Sequence, residues 1–268
     1  MKKVYLEKIA ACKKEEVESS KRVEPAAAVE KRAESAPPPR PFREALQTRD
    51  TLGPQVIAEI KRASPSRGDL SPGLEVASLA RAYREGGAAA LSVLTERRFF
   101  KGSLEDLTAA REASGLPVLR KDFIIDPWQI YQSRAAGADA VLLIARLMGG
   151  KSRLEEFIDL AKKFSLAPLV EVSSRQELEE SLEVGADLLG INNRDLQSFS
   201  VDLGRTEELA SLVPPGVTLV GESGVHSYED ARRLQQAGVH AVLVGEALVC
   251  SGNPAGKIQE LKGVGSCG

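Results

Sequence analysis

Ionisable side chains recur in this sequence at one kind of place, the end of a short apolar run. Glu59 and Lys61 close Val56-Ile57-Ala58, Lys121 and Asp122 close Val118-Leu119, and Glu171 closes Leu169-Val170. Asn192, Asn193 and Arg194 follow Gly190-Ile191, and Glu222 follows Val220-Gly221. If each run is a strand, residues two apart face the same side, so Glu59 and Lys61 share a direction. Lysines and glutamates gathered at low dielectric shift one another's proton affinity, as general acid–base catalysis requires. The same residues would also serve as a purely structural plug of ion pairs. A second chemistry is written in Gly221-Glu222-Ser223-Gly224 and Val244-Gly245-Glu246-Ala247-Leu248. Small residues with free backbone N–H groups, the second set opening a short helix, are suited to cradling a phosphate. No Cys/His cluster has metal-ligand spacing, so neither a metal nor another cofactor is expected. His226 and His240 are read as surface or core residues.

The elements that would position these groups are marked by a repeat. Gly87, Gly137, Gly185 and Gly238 each lead through a small residue into an apolar run, and they stand about 50 residues apart. Each follows an amphipathic helix and fits a C-cap needing positive φ. Between them lie further apolar runs at Val56, Pro117, Ala167 and Gly216, making eight strands, each followed by a helical stretch. Mostly apolar strands alternating with helices indicate a parallel sheet covered on its outer face. Eight units in about 210 residues predict an α/β fold, a TIM (β/α)8 barrel with extra N-terminal helices, rather than an open sheet. In such a barrel the active groups sit at the C-terminal strand ends, where the charged residues fall. Trp128 and Tyr131 are expected to pack the third helix on the barrel, with Asp126-Pro127 as its N-cap and first residue.

The domain plan is one unit over residues 1–268, with an N-terminal helical extension at 1–47 and the barrel at 55–262. The extension is rich in Lys, Glu and Ala, and Pro37-Pro38-Pro39 forbids helix there. Leu6 and Ile9 sit at helical spacing. The segment reads either as a solvated tail or as a pair of helices over one barrel end, too polar to add much core. The 268 residues carry a formal net charge of −2, without a basic stripe, which speaks against nucleic-acid binding. Apolar runs are strand-sized, so no membrane span is expected. The N-terminus has no apolar stretch of a secretory signal, and Cys12, Cys250 and Cys267 are scattered, which points to the cytoplasm.

Several segments together resemble one family. Ile57-Ala-Glu-Ile-Lys-Arg-Ala-Ser-Pro-Ser-Arg-Gly68, Leu91-Ser-Val-Leu-Thr-Glu96, Phe100-Lys-Gly-Ser-Leu-Glu-Asp106, Val118-Leu-Arg-Lys-Asp-Phe-Ile-Ile-Asp-Pro127, Gly190-Ile-Asn-Asn-Arg-Asp-Leu196 and Gly221-Glu-Ser-Gly-Val225 are similar to signature segments of indole-3-glycerol-phosphate synthases. The resemblance extends over essentially the whole chain. It implies conversion of 1-(2-carboxyphenylamino)-1-deoxyribulose 5-phosphate to indole-3-glycerol phosphate, with loss of CO2 and water. It further implies Lys121 as the general acid at the substrate carbonyl, and Glu171 as the partner that stabilises or deprotonates an iminium-like intermediate. Glu59 and Lys61 would manage the later dehydration, with Lys61 a further candidate phosphate contact. Ser64, Asn192 and Arg194 would meet the anthranilate carboxylate and sugar hydroxyls, Phe100 and Phe123 would wall the aromatic ring, and Glu222 would contact substrate. Ser223, Gly224, Gly245 and the backbone N–H of Glu246 would hold phosphate. The expected partner is this small phosphorylated molecule, handled by a monomer or weak homodimer. Rival readings are an isomerase acting on a related ribose phosphate and a non-catalytic phosphometabolite-binding protein.

Overall fold

Eight parallel strands close on themselves in the computed structural model, which describes residues 4–48, 53–65, 68–70, 73–195 and 200–264. Ser66, Arg67, Leu196 and Cys267 lie outside the described residues. The strands are β1 (Gln55–Ile60), β2 (Ala90–Leu94), β3 (Val118–Lys121), β4 (Ala140–Ile144), β5 (Ala167–Val172), β6 (Leu188–Asn192), β7 (Thr218–Glu222) and β8 (Ala241–Val244). Each pairs with its sequence neighbours, and β8 closes the ring on β1 with Gln55 opposite Ala241. Both strand faces are apolar for a reason. Val56, Ala58 and Ile60 pack outward with the helices, while Ile57 packs inward with Leu119, Leu169 and Val220.

Three helices precede the barrel: α1 (Val4–Val23), α2 (Ala26–Ser35) and α3 (Phe42–Gln47). The helices of the βα units are α4 (Val76–Glu85), α5 (Leu104–Ser114), α6 (Pro127–Ala135), α7 (Ala145–Met148) with α8 (Lys151–Lys163), α9 (Arg175–Glu183), α10 (Gly204–Ala210), α11 (Tyr228–Gln236), and α12 (Glu246–Val249) with α13 (Pro254–Leu261). A two-residue antiparallel hairpin, Ala63–Ser64 against Gly68–Asp69, stands between β1 and α4. The helix starts follow from local sequence. Asp126 and Ser227 form capping boxes with Gln129 and Asp230, and Pro127 occupies the first turn of α6. The four repeat glycines all adopt positive φ, as the spacing requires.

The N-terminal helices depart from expectation. They do not cover one barrel end but run from the mouth to the floor. Leu6 and Ile9 of α1 line the cleft at the C-terminal strand ends. Val17 of α1 and Val29 of α2 pack on Trp128, whose indole N–H donates to the Glu24 carbonyl at 3.0 Å. Trp128 thus seats the extension on α6, which corrects its expected role. Tyr131 also meets Phe164 edge-on at 5.2 Å. At the far end, Phe42 and Leu46 of α3 join the interior barrel cluster. There Arg43 donates to Asp187 Oδ2 at 2.8 Å and to the Gly216 carbonyl at 2.7 Å, both just before strands β6 and β7. The extension therefore adds real core. Its charge misleads because Lys13, only 2% exposed, is buried in an ion pair with Asp122 at 2.9 Å.

Candidate active site

The charged groups at the mouth follow from barrel geometry. Side chains alternate in and out along each strand, and in a closed barrel alternate strands share a layer. Ile57, Leu119, Leu169 and Val220, on β1, β3, β5 and β7, are interior and apolar. The next inward position on the same four strands is Glu59, Lys121, Glu171 and Glu222. One ring of the barrel is thus charged, resting on an apolar ring beneath it. Glu59, Glu171 and Glu222 are each no more than 5% exposed.

Within that ring the charges form two groups. Lys121 Nζ donates to Glu171 Oε2 at 3.0 Å and to Glu222 Oε2 in a shorter contact. Lys61 Nζ lies 2.6 Å from Glu59 Oε1. Burial works against the Lys121 charge, but the carboxylates of Glu222, Glu171 and Glu59 outweigh it and hold the ammonium protonated far above its usual range. Burial alone would raise Glu171. The Lys121 ammonium and hydrogen bonds from Lys121 and Asn192 hold it below the usual carboxylate range. Burial pushes Glu222 the other way, up to about 7, with Lys121 opposing and Glu171 adding to the rise. The two carboxyls on one lysine are therefore unlike: Glu171 is ionised, and Glu222 exchanges a proton near neutrality. Glu222 Oε1 is buried and has no hydrogen-bond partner. Glu222, a strand-end carboxyl in the sequence to which the resemblance gives only a substrate contact, stands inside the charged ring. The signal was its position, two residues beyond an inward apolar residue.

The polar surround is similarly ordered. Asn192 Nδ2 donates to Glu171 Oε1 at 3.2 Å, and its Oδ1 accepts from the Arg194 backbone and from Ser223 Oγ, both at 3.0 Å. Asn192 so links the charged ring to the β7 loop. Phe100 and Phe123 stand on one wall with ring centroids 6.3 Å apart. Phe100 is held by Glu96, whose Oε2 accepts from the backbone N–H groups of Phe99 at 2.6 Å and Phe100 at 3.0 Å. Glu96 had no role in the sequence reading, because its partners are backbone groups of a loop whose shape is not written in residue types. Behind Lys121, on the opposite strand face, Asp122 binds Arg120 at 3.0 Å, Lys13 at 2.9 Å and the Thr95 hydroxyl at 2.6 Å. Burial opposes its charge, but Arg120 and Lys13 hold Asp122 down at about 2. This outer ion cluster clamps both residues flanking Lys121.

The two small-residue loops meet on the other side of the mouth. Ser223 and Gly224 have consecutive positive φ values of 67° and 87°. Gly245 N-caps α12, and Glu246 is its first residue. Glu59, Lys61, Ser64, Phe100, Lys121, Phe123, Glu171, Asn192, Arg194, Glu222, Ser223, Gly224, Gly245 and Glu246 all line one cleft. Leu6 and Ile9 of α1, with Leu142 and Ile144 of β4, add apolar walls that were not anticipated. Only Leu6 and Ile9 carried a signal, their helical spacing. Among the described residues no cluster of His, Cys, Asp or Glu is arranged to hold a metal, and no helix is long and apolar enough to cross a membrane.

Comparison with known proteins bears on this cleft. A family model described as indole-3-glycerol phosphate synthase matches residues 6–261. An indole-3-glycerol phosphate synthase of Desulforamulus reducens is 46% identical, covering 99% of both chains. One of Leifsonia xyli subsp. xyli is 48% identical over 90% of this chain and 91% of the relative. Among solved structures, a thiamine phosphate pyrophosphorylase from Pyrococcus furiosus superposes with a TM-score of 0.61 at 20% identity, covering 83% of this chain and 96% of that one. A 3-hexulose-6-phosphate synthase gives 0.59 at 17% identity, covering 78% and 99%. These two likenesses concern the fold alone.

Proposed function

Because the chain belongs to the indole-3-glycerol phosphate synthase family, it is a carboxy-lyase that closes the indole ring of indole-3-glycerol phosphate for tryptophan biosynthesis, and we propose that the charged ring moves its protons. The reaction has three stages. The anthranilate ring carbon bearing the carboxylate attacks the C2′ carbonyl, whose oxygen takes a proton. CO2 then leaves, and its bonding electrons quench the iminium-like cation. Finally the C2′ hydroxyl leaves as water while a C1′ proton is lost, which aromatises the new ring.

Lys121 is the donor to the C2′ oxygen. Its protonated state and its place between Glu171 and Glu222 support this role. Glu171, held ionised, faces the cationic intermediate as a counter-charge. Glu222 restores the Lys121 proton, since it exchanges near neutrality and already accepts from that ammonium. Glu59 and Lys61, a separate ion pair at the end of β1, manage the dehydration, one accepting and the other donating a proton. Phe100 and Phe123 wall the aromatic ring, and apolar surroundings favour loss of its carboxylate by excluding water. Ser64, Asn192 and Arg194 contact the carboxylate and sugar hydroxyls. Phosphate rests on Ser223, Gly224, Gly245 and the Glu246 backbone N–H, with the Glu246 side chain turned aside. The near balance of charges supports action without nucleic acid, and the enzyme is read as a cytoplasmic monomer or weak homodimer.

The observation that carries these roles is Lys121 bonded to two unlike carboxyls in a cleft with aromatic walls. The test follows indoleglycerol phosphate formation by fluorescence for wild type and Lys121→Met. Loss of turnover with substrate binding retained is expected. Turnover within a factor of about three of wild type would remove Lys121 from the mechanism, given the ~10²–10⁴-fold contribution of such groups.

A further inference from the structure

Gly190 lies in β6, between the strands that carry Glu171 and Glu222, with its Cα paired to Glu171 on one side and Val220 on the other. It is not among the residues of positive φ, so its backbone admits any amino acid. What calls for glycine is space. A Cβ at this position would collide with Glu222 Oε1 and lie 3.1 Å from Glu222 Cδ and 3.5 Å from Leu169 Cδ1. The Glu222 carboxyl therefore occupies the room that a side chain at 190 would fill. One of its oxygens accepts from Lys121, while the other is buried over Gly190 without a partner. A glycine performs the same office for another carboxyl of the mouth, that of Glu59. A Cβ on Gly245 would press on Glu59 Oε1 and lie 3.0 Å from Glu59 Cδ.

We propose that Gly190 is a positioning residue for the ring closure: the side chain it lacks makes the seat from which Glu222 presents one oxygen to Lys121 and keeps the other out of water. Any larger residue drives the carboxyl up toward the cleft, where it loses its line to Lys121 and meets solvent. The inference rests on the reading of Glu222 as the group that recharges Lys121.

The test is a double-mutant cycle of Gly190→Ala and Glu222→Gln, read by kcat, KM, thermal melting and the pH–rate profile. Gly190→Ala is expected to lower kcat by roughly 10²-fold, the scale of a 1 Å misplacement, with KM changed far less. The ionisation near pH 7 should move down toward the ordinary carboxylate range, a readout that packing damage alone would not shift. In the Glu222→Gln background the same alanine should cost much less in kcat, because its target is already gone. Equal, additive losses in both backgrounds, with the ionisation unmoved, would overturn the role of Gly190. Wild-type turnover by Glu222→Gln alone would instead overturn the reading of Glu222, and this proposal with it. If Gly190→Ala does not fold, Gly190→Ala with Glu222→Asp decides. The shorter acid clears the added methyl and should restore a cooperative melt, and failure to do so would place the collision elsewhere and refute the proposal.

Discussion

At the scale of single residues, two carboxyls on one ammonium behave differently because only one is fully supplied with donors. Glu171 receives hydrogen bonds from Lys121 and Asn192, whereas Glu222 has one oxygen on Lys121 and one with no partner. The consequence for stability has a definite sign. The folded state holds the Glu222 proton up to about pH 7, against a reference value of 4.5, so its contribution is full below about 4.5 and fades as pH rises through 7. Glutamine at 222 carries no such ionisation. The melting temperature of Glu222→Gln relative to wild type should therefore become more favourable between about pH 5 and 8, by up to ~3 kcal/mol in equivalent free energy. Parallel melts across that range check this, and a constant difference would mean that Glu222 is ionised throughout. Lys121→Met has its own signature. It leaves Glu171 and Glu222 buried without their cation, so its stability should improve as the medium is acidified, and activity and melting need to be compared at one pH.

At the scale of elements, α1 acts at two places. Its Leu6 and Ile9 reach the cleft, while its Lys13 closes the ion cluster on Asp122, next in sequence to Lys121. Removing one partner of a buried pair leaves a stranded charge, so Lys13→Met should destabilise by on the order of 3 kcal/mol. Denaturant unfolding measures this, and a loss under about 0.5 kcal/mol, the surface-pair range, would mean that Arg120 and Thr95 suffice for Asp122. Ile9→Ala separates the second role. It should raise KM more than it lowers kcat, because Ile9 lines the cleft with an apolar side chain that cannot carry a proton. Deleting residues 1–40, which on sequence grounds should leave the barrel intact, is now expected to cost stability as well. It would uncover Trp128, take Lys13 from Asp122 and remove Arg40, whose backbone N–H donates to Asp139 at 2.7 Å. A truncated chain melting as wild type does would contradict that expectation.

At the scale of the molecule, the proposed roles divide the mouth into a proton-moving side and an anion-holding side, joined through Asn192. Phosphate or sulfate should compete with substrate at the β7 and β8 loops. Gly224→Ala should raise KM more than it lowers kcat, because it perturbs a positive φ at the cradle and its Cβ would press on Val201 and Leu203 rather than on a residue of the charged ring. Gly245→Ala should lower kcat strongly as well as raise KM, since its Cβ would meet Glu59. The two glycines, alike in the sequence reading, are thus expected to separate in steady-state kinetics, and identical effects would argue against the division of the mouth. Activity should survive dialysis against a chelator, since proton transfer by Lys and Glu needs no metal, and recovery on adding a divalent ion would show that reading to be incomplete.

Periodicity and local chemistry were enough to lay out the barrel. Apolar runs of strand length, glycines about 50 residues apart and charged residues at strand ends are local consequences of alternation and capping, and the closed ring of eight parallel strands follows from them. The membership of the cleft was legible for the same reason, since every strand end in a barrel points to one face. What the sequence could not settle was which charges pair. Lys121 with Glu171 and Glu222 is a choice of neighbour across strands far apart in the chain, whereas Lys61 with Glu59 is a local pair at one strand end. Nor could it foretell that Lys13 is buried, that Trp128 faces the extension, or that Gly190 makes room for Glu222. Burial and proton affinity depend on what closes over a group from elsewhere in the chain, and only the tertiary fold brings those neighbours together.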